Sequence, residues 1–105
     1  MKNSKRYASL PTKQLFVALS SPDFSQRIIC GELDWKEKRC CFITGNGTQI
    51  FLPFELFTPS GDGTTPDFRW LKIEDYGLTI CFGDYEASAD FIISGHVGVS
   101  PQNPR

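Results

Sequence analysis

The sequence has one histidine, almost no net charge and no long hydrophobic run. The formal net charge of -1 gives the whole molecule no strong field that would attract nucleic acid or an anionic membrane. No apolar segment approaches the roughly 18 residues that span a bilayer. The first apolar run, Leu15 to Leu19, is shorter than the roughly 7–15 residues at the centre of an export signal. We therefore expect a cytoplasmic protein without a membrane segment.

The sequence also lacks the residue patterns of most catalytic and metal sites. Its single histidine, His96, falls in a predicted tail without periodicity, and a Cys–His pair would have to join it to a cysteine that lies in an apolar run. Cys40 and Cys41 are adjacent, so on a strand they would point to opposite faces, and no C-x-x-C or H-x-x-x-H spacing is present. The "GDG" and "GNG" triplets lack the Lys-Ser/Thr that completes a phosphate loop. We predict no catalytic residue, no metal and no cofactor, which favours a non-enzymatic function.

The cysteines lie in apolar runs rather than in loops. An even count of four would allow two disulfides. Free cysteine, however, behaves as a small buried hydrophobe, and a reduced compartment follows from the missing export signal. We therefore interpret all four as free thiols that pack within strands: Cys30, Cys40, Cys41 and Cys81.

Apolar runs separated by turn residues predict an antiparallel meander in the first half of the chain. "RIICGELDW", "RCCFIT" and "TQIFLP" are typical of strands, and they are joined by "KEK" and by Gly45–Gly47. Pro53 has no N–H for a sheet ladder, so it marks the end of the third strand or an edge position. "FELF" after it predicts a single helical turn.

The second half predicts a hairpin and a short helix. "FRWLKIEDYGLTICF" forms the hairpin, with Gly77 able to take the left-handed conformation in its turn. In "DYEASADFIIS" the apolar residues Ala89, Ile92 and Ile93 recur at helical spacing. Gly95 suits the position just past the end of that helix.

These elements define an α+β fold, with a mostly antiparallel sheet of about five strands and one or two short helices. The length favours one domain, which we place at residues 13–95. Residues 1–12 and 96–105 are predicted as flexible tails. "KQLFVALS" at 13–20 is compatible with a strand or a helical turn, and the strand is favoured.

The order of these segments resembles a family of small bacterial proteins, the domain-of-unknown-function family 2442. The family's strand with a central proline is matched by "TQIFLPFELF" at Pro53, and its tryptophan-glycine-aromatic pattern by Trp70, Gly77 and Phe82. "GDYEASADFIIS" is similar to the acidic residues and short helix that close the family's pattern. The resemblance spans about residues 26–95 and implies a small α+β protein whose biochemical role is not established.

The chain departs from the family pattern at three positions. Phe82 stands where tryptophan is frequent, Ser88 where an acidic residue precedes the last helix, and Thr48 where an arginine follows the glycine turn. A family function that depended on those three residues would therefore not apply to this chain. Some family members are coupled to toxin–antitoxin-like partners, so the resemblance also implies a regulator in such a pair as one alternative.

Clustered aromatic residues beside the longest loop predict a protein interface. Phe54, Phe57, Phe68 and Trp70 flank the polar loop Thr58–Asp67, and aromatic residues are enriched at interface hot spots. A small open sheet also has edges that must be covered or paired. We expect a small binding or adaptor protein that acts through protein–protein contact or self-association. The alternative explanation is that these rings close one end of the core.

Other partners are weaker alternatives. A small molecule could bind in a cleft between the Thr58–Asp67 loop and the second hairpin. Nucleic acid binding is disfavoured, because acidic residues dilute the basic "KEKR" run. The role of the acidic residues Asp84, Glu86 and Asp90 stays open, since acidic turns are usually solvated and paired carboxylates catalyse only in a cleft.

Overall fold

The computed structural model describes the backbone of residues 4–99 and the side chains of residues 4–95. In that part of the chain the elements are β1 (Lys5–Ser9), α1 (Thr12–Ser20), β2 (Ile28–Asp34), β3 (Arg39–Thr44), β4 (Gln49–Pro53), β5 (Lys72–Glu74), β6 (Thr79–Phe82), β7 (Tyr85–Ser88) and α2 (Ala89–Val99). The strands form two antiparallel sheets, a larger one in the order β1-β2-β3-β4 and a smaller one in the order β5-β6-β7. The predicted α+β class and antiparallel pairing are confirmed. The single sheet of about five strands is instead two sheets with seven strands among the described residues.

The first twenty residues differ most from the sequence prediction. The predicted tail over 1–12 contains β1, which pairs antiparallel with β2. The favoured strand over 13–20 is wrong, because Thr12–Ser20 is helix α1. Ala18 is buried and Leu15 packs against the core, while the intervening Phe16 is 69% exposed. This helical period is hidden in the sequence because every residue of the run is apolar.

The meander in the first half is confirmed. β2, β3 and β4 are consecutive neighbours, joined by turns at 35–38 and 45–48. β4 ends at Pro53, and Phe54–Leu56 forms one turn of 3-10 helix. The larger sheet therefore consists of this meander with β1 added at the edge of β2.

The smaller sheet follows a loop of irregular backbone. β5 and β6 are joined through Asp75–Gly77, where Gly77 has a φ of 90°. A Cβ on Gly77 would lie 2.7 Å from the carbonyl oxygen of Ile28, so this turn approaches the larger sheet too closely for any side chain. The turn thereby holds the two sheets in contact.

The C-terminal helix is confirmed but is longer than predicted. Its first turn is capped by Ser88, whose Oγ accepts a hydrogen bond from the N–H of Phe91 at 3.0 Å. The helix continues through Gly95 to Val99, so the predicted end at Gly95 is wrong. Of the predicted tail 96–105, residues 96–99 are helical, and 100–105 lie outside the described residues.

One hydrophobic cluster combines buried residues of both sheets and both helices. Its fully buried members include Ala18, Leu33, Cys40, Phe42, Ile80, Phe82 and Ile92. Residues of the larger sheet alternate between this core and the opposite face, as expected for strands that are covered on one side. No helix in the described part of the chain has the length and hydropathy to cross a bilayer.

Candidate functional site

Three of the four predicted interface aromatics lie together at the margin of the core, where Phe57 is buried and Phe54 and Phe68 are half-buried. Phe54 stacks on Phe68, with ring centroids 4.0 Å apart and planes 4° from parallel. Phe57 is buried and meets Phe82 edge-on at 4.9 Å. Trp70 lies apart from them and is 54% exposed, with the guanidinium of Arg6 4.9 Å from its ring centroid. Phe57 therefore packs within the core, and Trp70 is the most exposed of the four.

Hydrogen bonds tie this aromatic cluster to both sheets. The indole N–H of Trp35, next to the end of β2, donates to the carbonyl oxygen of Phe68 at 2.7 Å. The hydroxyl of Tyr85 on β7 donates to the carbonyl oxygen of Thr58 at 2.7 Å. These contacts hold both ends of the long loop against the rest of the protein. A role in an interface stays a prediction for Phe54, Phe57, Phe68 and Trp70.

The outward side of the larger sheet forms a second candidate surface, which we call the open face. Because residues directly opposite in an antiparallel sheet share a face, the register fixes three rows across β1 to β4. These are a charged row (Lys5, Asp34, Arg39, Pro53), an aromatic row (Tyr7, Glu32, Cys41, Phe51) and an apolar row (Ser9, Cys30, Ile43, Gln49). None of these twelve side chains is buried, so no described element covers the open face.

The middle of the open face is apolar. Tyr7 is 67% exposed and Phe51 43% exposed, at opposite edges of the aromatic row. Between β1 and β3, a shallow depression of about 380 Å³ is lined by Tyr7, Cys30, Cys41, Ile43 and neighbouring backbone. Solvated sheet faces are normally polar, so this strip, which is apolar apart from Glu32, is a candidate contact surface.

The charged side chains of the open face are only partly paired. The Nζ of Lys5 lies 3.2 Å from Oε2 of Glu32, and this hydrogen bond raises the pKa of Lys5 above its usual value. The guanidinium of Arg39 lies 5.1 Å from the ring centroid of Phe51. Asp34 accepts backbone N–H groups of the following turn through Oδ1. Although Asp34 and Arg39 are directly opposite, neither forms a salt bridge with any residue of the described chain.

The thiols are poor nucleophiles. Burial raises the pKa of Cys40 to about 12 and that of Cys81 to about 11. Burial also raises the pKa values of Cys30 and Cys41, which are only half-buried on the open face. All four lie in strands, as predicted, but only Cys40 and Cys81 are buried. Among the described residues, no group of three or more His, Cys, Asp or Glu is arranged to hold a metal. The prediction for His96 lies outside the described side chains.

A wide-open groove lies beside the long loop, in the region where the sequence suggested a cleft, and ligand binding there stays a prediction. It has a volume of about 790 Å³, and its lining includes Thr64, Asp67, Trp70, Gly83 and Asp84. The Asp67 carboxylate in this groove already has a partner, because it accepts hydrogen bonds from the side chain of Arg69 at 2.9 Å. This contact lowers the pKa of Asp67 to about 2.

The three acidic residues of the second half lie on different elements. Asp84 is in the β6–β7 turn, Glu86 is on β7, and Asp90 is in the first turn of α2. All three are exposed. The sequence-adjacent carboxylates are therefore spread along the surface, and their role stays open.

Comparison with known proteins gave no match at the level of family models, curated sequences or solved structures. The resemblance to family 2442 therefore stays a prediction.

The open face was missed because its first strand lies in the predicted tail. The alternation of "KRYAS" places Lys5, Tyr7 and Ser9 on one side, but five residues give a weak signal. In β3 the signal was clear: Cys40 and Phe42 point inward, so Cys41 and Ile43 point outward. Apolar residues at two of the three outward positions of a central strand, Cys41 and Ile43, are the feature that predicts a contact surface here.

Proposed function

We propose that this protein is a small non-enzymatic binding or adaptor protein that acts through protein–protein contact on the open face of its larger sheet. The carrying observation is the uncovered aromatic row, in which Tyr7 and Phe51 keep much of their surface exposed. Aromatic residues and arginine are enriched at protein interfaces, and Arg39 lies directly over Phe51. Covering this row with another protein would remove its apolar surface from water.

The chemistry of the open face also favours contact over catalysis. The thiols at its centre, Cys30 and Cys41, have raised pKa values and are mainly protonated at neutral pH. The depression beside them is shallow, whereas sites for small molecules are concave and bury most of the ligand. A shallow surface that combines exposed aromatic rings and half-buried apolar side chains with charged residues resembles the anatomy of a protein interface.

The proposal is tested by site-specific photo-crosslinking in cells that express the full chain. The photoreactive residue p-benzoylphenylalanine replaces Phe51 in one variant and Phe91 in a matched control, which is aromatic and similarly exposed but lies on α2. We expect a discrete crosslinked protein band from position 51 and none from position 91. A third variant at Trp70 tests the sequence-based candidate in the same way. The absence of any band from position 51 would refute contact through the open face.

A small-ligand-binding function is a second candidate, favoured by the groove beside Trp70. An exposed aromatic ring at a groove margin is suited to stacking on a planar ligand or a sugar. A metabolite panel screened by thermal denaturation should then contain a compound that raises the melting temperature of the wild type. Trp70→Ala should abolish that rise while leaving the melting temperature without ligand nearly unchanged. If every compound leaves the wild type unchanged, the groove has no ligand in that panel and this candidate is abandoned.

A further inference from the structure

We propose that the partner seated on the open face is a second copy of this chain, in a symmetric dimer whose twofold axis runs parallel to the strands. This inference rests on the proposed function and adds the identity and orientation of the partner. It follows from the order of side chains across the three rows.

A twofold axis parallel to the strands, between β2 and β3, superposes each row on itself in reverse order. β1 then faces β4 of the second copy, and β2 faces β3. In the aromatic row, Tyr7 meets Phe51 of the second copy, and the contact occurs twice. In the apolar row, Cys30 meets Ile43 of the second copy. Two sheets packed face to face keep their strand directions within about 30°, which preserves this matching at the centre.

The charged row gives the strongest support for this orientation. Asp34 meets Arg39 of the second copy, and Arg39 meets Asp34, so both residues without a salt bridge gain an opposite charge. A twofold axis perpendicular to the strands would instead place the charged row over the apolar row. Both charges would then face uncharged side chains and lose hydration without compensation.

The net charge of the open face permits self-association. Two cations, Lys5 and Arg39, are balanced by two anions, Glu32 and Asp34, so two copies approach without repulsion between like-charged faces. Lys5 and Glu32 stay paired within one protomer. Lys5 lies on the edge strand β1, where water reaches the margin of the interface. Glu32 lies on the central strand β2 and faces Cys41 of the second copy, and its charge is compensated by Lys5 of its own protomer.

The size of the open face predicts a weak dimer. Four strands spaced about 4.8 Å apart, each about five residues long, give a footprint of roughly 300 Å². Stable interfaces bury about 800 Å² on each partner. The open face is therefore smaller than a stable interface, and we expect dimers to form only in concentrated solution.

The first experiment measures mass against concentration by sedimentation equilibrium from about 10 μM to 1 mM. The average mass should rise from 11.8 kDa towards twice that value. Arg39→Glu should weaken dimerisation at least 10-fold. Lys13→Glu makes the same charge change at an exposed position on α1 and should leave dimerisation unchanged. Adding Asp34→Lys to Arg39→Glu should restore it, with thermal melting confirming that each variant is folded. A monomer at every concentration, or equal effects of the two single variants, would overturn the dimer.

The second experiment identifies the partner and its orientation. Crosslinking through p-benzoylphenylalanine at position 51 is carried out in cells and with the purified chain at about 1 mM, and any crosslinked band is excised and mapped by mass spectrometry. An adduct on β1 of a second copy supports the proposed axis, whereas an adduct elsewhere on a second copy overturns it. An adduct on a different protein overturns self-association while supporting the proposed function. The absence of any adduct overturns both.

Discussion

At the scale of single residues, Gly31 shows how tightly the inner face of the larger sheet is packed. It lies on β2 opposite Phe42, and a Cβ at this position would approach the Cδ1 atom of that ring to 2.6 Å. Phe42 is fully buried, so its ring has no free space to move into. The absence of a side chain at Gly31 is therefore a requirement of the core rather than of the backbone conformation.

Gly31→Ala should destabilise the protein by about 1–3 kcal/mol, because an added methyl group overpacks the core. Urea denaturation of the two proteins gives the difference in free energy of unfolding. Gly61→Ala is the control, since a Cβ there would meet no atom within 4 Å. Equal stability of wild type and Gly31→Ala would mean that the Phe42 ring shifts without cost.

The buried thiol of Cys40 predicts a loss of stability in alkaline solution. Its pKa is raised to about 12 by burial, above the value of about 8.5 in an unfolded chain. A raised folded-state pKa means that the contribution is complete below about pH 8.5 and is lost as the pH rises towards 12. The free energy of unfolding should therefore fall more steeply between pH 9 and 11 in the wild type than in Cys40→Ala. Parallel pH profiles would show that Cys40 is not shielded from water.

At the scale of elements, α1 shows where the hydrophobic pattern is ambiguous. "LFVAL" is apolar at every position, so it fits a buried strand as well as a helix. The outcome depends on tertiary contacts: Leu15 and Ala18 reach the core, and Gln14 accepts a hydrogen bond from the backbone N–H of Tyr76. Those partners lie about sixty residues away and are invisible to local pattern analysis. Short strands were missed for a related reason, because the four residues of β7 contain only two inward side chains, Tyr85 and Ala87.

The aromatic cluster beside the long loop provides a test of structural against surface roles. Phe57→Ala should cost about 3–5 kcal/mol, as expected for a large buried side chain. Trp70→Ala should cost at most about 1 kcal/mol, because it removes only an exposed ring and its contact with Arg6. Urea denaturation measures both. If the two substitutions lowered the free energy of unfolding equally, burial of the Phe57 ring would not explain its contribution to stability.

At the scale of the whole molecule, the local connections were predictable and the division into two sheets was not. Turn residues and alternation in the first half define the β2–β3–β4 meander, because each strand pairs with its neighbour in sequence. The segment between β4 and β5 has no such pattern. Phe54 and Phe68, on either side of that loop, stack on each other, and such a long-range contact is not visible in the local sequence pattern. The candidate site was likewise only partly predictable from the sequence. The alternation in β3 places Cys41 and Ile43 on an outward face, but the weak pattern of β1 does not place Tyr7 there.

The shared core predicts that both sheets unfold together. The hydrophobic cluster contains residues of each sheet, and the Trp35–Phe68 hydrogen bond ties the turn after β2 to the segment that leads into the smaller sheet. Tryptophan fluorescence and far-ultraviolet circular dichroism should give coincident urea transitions. Two separate midpoints would show that the smaller sheet unfolds independently.

The sequential order of the strands has a consequence for synthesis on the ribosome. All four strands of the larger sheet precede residue 54, so they are synthesised before β5. At roughly 5–20 residues per second, translation of residues 54–95 takes about 2–8 s more. During that interval the smaller sheet and α2, which share a core with Leu33, Phe42 and Leu52, are still incomplete. We therefore expect the nascent chain to be recognised by chaperones that bind apolar segments, although the finished protein is small.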